Sequence, residues 1–333
     1  SGNVIATIRE GKTGIAEISA VNTSGDMRIE RTRWGNLARS VGTGASYTPG
    51  STPEFNWKSS MHFDFVTRGI RLPEDSSAFF YCMGGFLLHA ENIDTSDVRD
   101  MRYMFAGCSA FNGSNVSGLS RWNTRKVLDM SNMFLSTASS GNGCSAPDLS
   151  RWKTSNVTNM KSMFDSAGFS FANFNISKWD VTSVKQMQRM FASSAVEKLD
   201  LSNWEMNPVM VSYQNPDGRP SDKMFYRCNK LSYLKLPKGL IAIISSPNGE
   251  FIARNISRNK AAVSWSNDLR LRDDWYNNYD NTNNWATYLA RNDKYIGITF
   301  HKNGGDNESW VNCEIVEKGK SFNDSKGVLP QEE

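Results

Sequence analysis

The residue types that hold metals or act as nucleophiles are present in this chain but are not assembled. Five cysteines, Cys82, Cys108, Cys144, Cys228 and Cys313, are widely and unequally spaced, and no Cys-x-x-Cys pair occurs. His62, His89 and His301 stand far apart, and nothing joins Cys82 and His89 into a four-ligand set. These are read as small, half-buried thiols and surface imidazoles, with no metal site and no cofactor. No His-Glu-x-x-His, no Gly-x-Ser-x-Gly and no phosphate-cradling loop is present, so no catalytic residue is assigned and no enzymatic activity is expected.

Methionines recur in pairs, and their spacing decides what they do. Met101-x-x-Met104-Phe105, Met130-x-x-Met133-Phe134, Met160-x-x-Met163-Phe164 and Met187-x-x-Met190-Phe191 are each preceded by a valine: Val98, Val127, Val157 and Val184. A weaker copy ends in Met224-Phe225. A thioether site for copper would not need a valine and a phenylalanine on the same stripe, so the pattern is read as core. Its spacing predicts a helix of about two turns.

A tryptophan accompanies each copy: Trp122, Trp152, Trp179 and Trp204. An apolar residue and a serine stand just before it, at Leu119-Ser120, Leu149-Ser150, Ile176-Ser177 and Leu201-Ser202. The apolar positions recur at intervals of 30, 27 and 25 residues. Such a period belongs to a solenoid rather than a propeller. One coil cannot bury its stripe alone, but stacked coils can. The alternation in Val196 to Leu201, and again in Leu231 to Leu236, predicts a short strand per coil, with the strands forming a parallel sheet.

The residue between serine and tryptophan is the sharpest candidate for binding. It is Arg121, Arg151 and Lys178 in successive copies, then Asn203. In stacked coils these side chains form a column, either a solvated ladder or a basic strip that meets an acidic partner or glycan. Two irregular stretches, Leu135 to Pro147 and Glu205 to Pro220, are expected to leave the scaffold as loops, where binding residues concentrate. The first of them could bring Cys144 to Cys108, so a disulfide is geometrically possible there.

The unit Leu-Ser-x-Trp-x-Thr-Ser-x-Val-Thr-x-Met-x-x-Met-Phe, clearest at Leu149 to Phe164, resembles the bacterial surface-protein repeat of about 26 residues and the BspA-like leucine-rich repeats. The resemblance covers residues 70 to 237. It implies a secreted or cell wall-attached bacterial protein of the adhesin type, binding a host or partner-cell protein, and it supplies no catalytic residue. The chain is therefore expected to be α/β: a right-handed, leucine-rich-repeat-like solenoid with short parallel strands, short helices and β-rich caps at both ends.

The bounds read as 1–69 for an N-terminal cap, 70–237 for the repeats and 238–333 for a β-rich C-terminal cap or accessory domain. In the first, Ile5 to Ile8 and Ile15 to Ser19 are strand-prone. The last holds Trp265, Trp275, Trp285 and Trp310 among tyrosines and asparagines, with candidate strands at Ala261 to Trp265 and Tyr295 to Phe300. Packing of a small core is the plainer reading of those aromatics; a glycan-binding or glycan-active surface is the other.

Composition sets the remaining bounds. A hydrophobic fraction of 39% over 333 residues supports a real core, and a net charge of +4 is too mild to indicate nucleic acid. No apolar run approaches a membrane span. The resemblance implies an extracellular protein or glycan as partner; composition adds the expectation of no nucleic acid and no membrane insertion, and the chain is expected to be a monomer.

Overall fold

The repeats stack coil upon coil, and each coil is built from turns where helices were expected. The computed structural model describes residues 3–9, 15–41, 62–111, 113, 116, 118–138, 144–172, 174–201, 203–207, 224–228 and 230–231, and beyond them the backbone of short strands and Gly319.

The Met-x-x-Met-Phe segments are not helical. In the coil at Met160 to Ala167, the N–H groups of Met163, Asp165 and Ala167 donate to Met160 O, Ser162 O and Phe164 O at 3.3, 3.2 and 3.1 Å, each closing a three-residue turn. The amides between them point along the stack. Met160, Ser162, Phe164 and Ser166 donate to Gln186 O, Gln188 O, Met190 O and Ala192 O of the next coil at 2.7–2.8 Å. A helix would send every amide back along itself. Here the direction alternates because the backbone does.

That alternation needs left-handed residues at fixed places. Ala78 and Cys82, Tyr103 and Gly107, Asn132 and Ser136, Ser162 and Ser166, and Arg189 and Ser193 all have φ between 52° and 69°. Each such residue other than glycine costs roughly 1–2 kcal/mol. The inter-coil bonds they permit offset this. Glycine at position 107 also serves packing, since a Cβ there would lie 2.7 Å from Cys82 Sγ. Three-residue turns return side chains to one face much as a helix does, so the apolar stripe faces inward in either conformation.

Columns of side chains fill the stack. Phe80, Phe105, Phe134, Phe164, Phe191 and Phe225 stack face to face at 5.4–5.5 Å. Met101, Met104, Met130, Met133, Met160, Met163, Met187 and Met190 are fully buried beside them. Trp122, Trp152 and Trp179 form a second column, with centroids 6.5 and 6.4 Å apart. The indole N–H groups of Trp122, Trp152, Trp179 and Trp204 reach back one coil to Ala90 O, Leu119 O, Leu149 O and Ile176 O at 2.8–3.1 Å. Burying each ring is worth about 1.5–3 kcal/mol, with a further 0.5–1.5 for each aromatic pair.

The expected parallel sheet is reduced to fragments. Single parallel bridges join Asp75, Asp100, Asp129, Asn159 and Gln186 in turn. The full strand predicted near Leu199 is present only as β7 (Lys198–Asp200), paired in parallel with β8 (Tyr233–Leu236). Turns closed by Asx side chains take the place of the other strands: Asp148 Oδ1 and Asn175 Oδ1 accept the N–H and hydroxyl of Ser150 and Ser177.

Ahead of the first coil lies a sheet ordered β1–β2–β3–β5, formed by β1 (Val4–Arg9), β2 (Ile15–Ala20), β3 (His62–Phe65) and β5 (Leu87–Leu88). Two-residue strands β4 (Ile70–Arg71) and β6 (Ile93–Asp94) pair in parallel nearby. Helix α1 (Arg31–Val41) was not foreseen in the β-rich cap. The first coil has no earlier coil to satisfy its carbonyls. Arg31 donates to Asp75 O and Ser77 O at 3.0 and 2.9 Å, and the Trp34 indole donates to Phe79 O at 2.8 Å. Those carbonyls are the counterparts of Asp100 O, Arg102 O and Met104 O, which accept backbone amides from Ser76, Ala78 and Phe80. Side chains of α1 thus replace a missing coil.

Beyond residue 238, strands occur where two were expected, at Ala262–Trp265 and Tyr295–His301. Strand Thr287–Arg291 pairs antiparallel with β8 and so joins this segment to the last coil.

Two predictions follow from the packing. Met133→Asp, Met163→Asp or Met190→Asp puts a charge in the fully buried column and costs several kcal/mol; circular dichroism should show an unfolded chain or a sharply lowered Tm. Trp34→Phe keeps the ring that stacks on Phe79 at 4.3 Å but removes the donor to Phe79 O. It should cost about 1–3 kcal/mol in urea unfolding, and an unchanged midpoint would refute the capping role.

Candidate functional site

The corner before each tryptophan fixes the candidate row. Leu119–Arg121 is a single 3-10 turn followed by extended Trp122, whose ring is buried. The same corner recurs at each tryptophan. The leucine or isoleucine and the tryptophan turn inward, and the residue between serine and tryptophan is left outside. Arg121, Arg151, Lys178 and Asn203 are all exposed. The structure therefore places the four predicted residues at equivalent positions of successive coils.

Among the described residues, no ion pair is made by Arg121 or Lys178. Arg151 has Asp148 as a neighbour. The hydrogen bonds from Ser150 hold the Asp148 carboxyl below its usual pKa, and the Arg151 charge adds to this. Adjacent rings repeat at 6.4–6.5 Å. Like charges about 5–7 Å apart repel by roughly 0.6–0.8 kcal/mol in water before salt screens them. The row is tolerable when solvated and becomes favourable when an anion meets it. The charges nearby reinforce it in the first coil of the row, where Arg125 and Lys126 follow Arg121 and residues 118–128 contain no carboxylate. Lys126 is bonded to Asp97 at 3.0 Å.

The acidic column has a different character. Asp75, Asp100 and Asp129 stand in bridged register, yet each is occupied within the fold. They accept the N–H of Ser77, Arg102 and Ser131 at 2.8–3.0 Å. Arg31, Arg102 and the Asn159 amide then meet their remaining oxygens at 3.3, 2.6 and 3.0 Å. Sequence reasoning passed over this column. Its signal was legible, because Asp100, Asp129 and Asn159 each immediately precede a Met-x-x-Met-Phe. Asp165 is likewise buried and paired with Arg189 at 2.7 Å. Among the described residues no group of three or more His, Cys, Asp or Glu is placed to hold a metal, and no helix is long and apolar enough to cross a membrane.

Two expectations need correction. Cys82, Cys108, Cys144 and Cys228 are free thiols. Cys108 is fully buried and directs its sulfur to Phe80 O at 3.1 Å, so it does not pair with Cys144. Burial pushes its thiol well above the ordinary pKa, and that of Cys228 up to about 12. The stretch Leu135 to Pro147 is not wholly a loop. Ser136 N–H joins the inter-coil ladder, Thr137 and Ala138 are buried, and Ala146 N–H bonds to Ser170 O. Most of the second stretch, 208–220, lies outside the described residues, as do the side chains of Cys313, His301 and the C-terminal aromatics.

These coils have a counterpart among known families. Residues 74–204 and 140–232 match the family model described as "Mycoplasma protein of unknown function, DUF285". The repeat is similar to that family. Both matches fall inside the 70–237 read as repeat, and the corners carrying Arg121, Arg151, Lys178 and Asn203 all lie within them. No curated protein and no solved structure matches the chain.

The two described histidines respond oppositely to their surroundings. A hydrogen bond to Asp64 at 2.6 Å raises the His89 pKa, whereas burial lowers that of His62, whose Nδ1 accepts Phe86 N–H. The stability from His89 is present below its unfolded pKa and is lost as pH rises through its raised native value. That from His62 is present above its unfolded pKa and is lost as pH falls through its lowered native value. An NMR titration should find His89 titrating at higher pH than His62, and His89→Ala should remove the first effect alone.

Proposed function

We propose that the protein is a bacterial surface or secreted binding module. Its stacked coils serve as a solenoid scaffold, and its partner is an extracellular macromolecule that carries acidic groups. The observation behind this reading is the exposed row of Arg121, Arg151 and Lys178, continued by Asn203. A stack of turns locked by inter-coil amides presents that row on a rigid support, which lowers the entropy lost on binding. The likeness of the repeat to BspA-like surface repeats supports an adhesin-type role and an extracellular or wall-attached location, while the family whose model matches these coils is described as of unknown function. Aligned charges of this kind act mainly on encounter.

The test is kinetic. Surface plasmon resonance of the intact chain against a panel of extracellular-matrix proteins should find a partner whose association falls steeply with salt. Replacing Arg121, Arg151 and Lys178 together by alanine should slow that association about tenfold and flatten its salt dependence, with the far-UV circular dichroism unchanged. A partner bound equally fast by this variant would move the site away from the row.

A further inference from the structure

The sheet ahead of the first coil has two edges, and they differ. At one, β5 is two residues long. At the other, β1 runs for six residues, Val-Ile-Ala-Thr-Ile-Arg, with no proline and no charge before Arg9. Sheets normally shorten, charge or cover such an edge, because its unpaired groups accept another strand. The register shows which groups these are. Val21 N–H donates to Asn3 O at 2.8 Å, and Ile5, Thr7 and Arg9 follow Asn3 at every second place. Those residues turn their N–H and C=O towards β2, so Val4, Ala6 and Ile8 turn theirs away from it. Among the described residues, nothing bonds to the outward groups of Val4 and Ala6.

The side chains at this edge are uncovered too. Ala6 is paired with buried Ile18 and faces the inner side of the sheet, yet it is exposed. Between β1 and α1 lies an apolar cleft of about 140 Å³, with Val4, Ala6 and Ile18 on one wall and Trp34 and Leu37 on the other. A cleft alone would accept many shapes, but an open strand edge accepts an extended chain. The edge is also complementary to itself. Set antiparallel about a twofold axis at Ala6, β1 places Ala6 against the second copy's Ala6 and Val4 against the second copy's Ile8. Each pair exchanges main-chain hydrogen bonds, so every outward N–H meets an outward C=O. An isoleucine then stands beside each cleft. On the other face Ile5, 43% exposed, comes beside the second copy's Thr7.

We infer that two copies of the chain pair through β1, antiparallel and in the Ala6–Ala6 register, as one continuous sheet. The seam is small: β1 brings six residues a side, against roughly 20–30 for a standard interface. The dimer is therefore weak and reversible, and the monomer expected from the sequence is its dilute form. The pairing does not depend on the basic row.

Sedimentation velocity of the intact chain, from micromolar to near-millimolar concentration, tests this. The dimer fraction should rise with concentration. Ala6→Pro deletes an N–H that β2 does not use, so the sheet keeps its own bonds, while the dissociation constant should rise about tenfold or more. A charge pair reads the register and carries the test if the proline variant misfolds. Ala6→Glu and Ala6→Lys should each be monomeric alone and should dimerise when mixed, because the axis sets the two positions opposite one another. Both should keep the wild-type circular dichroism spectrum. A wild-type chain that stays monomeric throughout overturns the inference. So does a dimer that survives in either charged variant alone, or one that mixing them does not restore. A peptide of alternating valine and threonine that binds a monomeric wild-type chain would give the edge to a foreign strand, and would overturn it as well. Each of these results leaves the role of Arg121, Arg151 and Lys178 to its own kinetic test.

Discussion

The whole structure depends on amides that alternate in direction. Every second N–H in a Met-x-x-Met-Phe run closes a turn within its coil, and the others cross to the next coil. This fixes the spacing between coils, and the spacing in turn sets the phenylalanine stacking at 5.4–5.5 Å. The register also places each indole under the carbonyl it needs. Without the positive-φ residues the amides would not alternate, and neither column could form. The fold accepts local backbone strain at Asn132, Ser162 and Arg189 in return for a bonded ladder and a dry, aromatic interior.

The same constraint explains why the outer face is so regular. A coil whose corners are closed by Asx turns and pinned by a buried tryptophan leaves little freedom to the residue before it. Arg121, Arg151 and Lys178 inherit their alignment from Trp122, Trp152 and Trp179. The acidic column at Asp75, Asp100 and Asp129 is equally aligned but spends its oxygens on backbone amides and on side chains of the fold. Two charged columns thus arise from one repeat, and the acidic one is paired within the fold while Arg121 and Lys178 make no ion pair among the described residues.

Much of this was legible in the sequence. The valine, methionine and phenylalanine spacing identified the buried stripe residue by residue, and the basic row was visible as a repeated position. The conformation of the stripe was not legible. A helix and a chain of three-residue turns both bring back a side chain after three positions, so periodicity could not separate them. The discriminating signal is the mixed set at the left-handed places: Tyr103, Asn132, Ser162 and Arg189 share no residue type. The capping role of Arg31 and Trp34 was hidden for another reason. Their partners lie more than forty residues away and outside the period. The strand expected in each coil failed because Asx and serine side chains satisfy at the corners what a ladder would otherwise satisfy.

The inter-coil bonds of the turn runs all point one way, from amides of the earlier coil to carbonyls of the later. The two ends of the stack therefore differ in kind. Along these runs one end presents acceptors and the other donors, while the amides of Leu128, Thr158 and Lys185 run the other way, to Arg99 O, Leu128 O and Thr158 O. A twofold pairing of the turn runs at either end would set acceptor against acceptor or donor against donor. Only a head-to-tail contact satisfies both faces, and such contacts propagate. Arg31 and Trp34 occupy the acceptors of the first turn run and so close it to a further coil at that end.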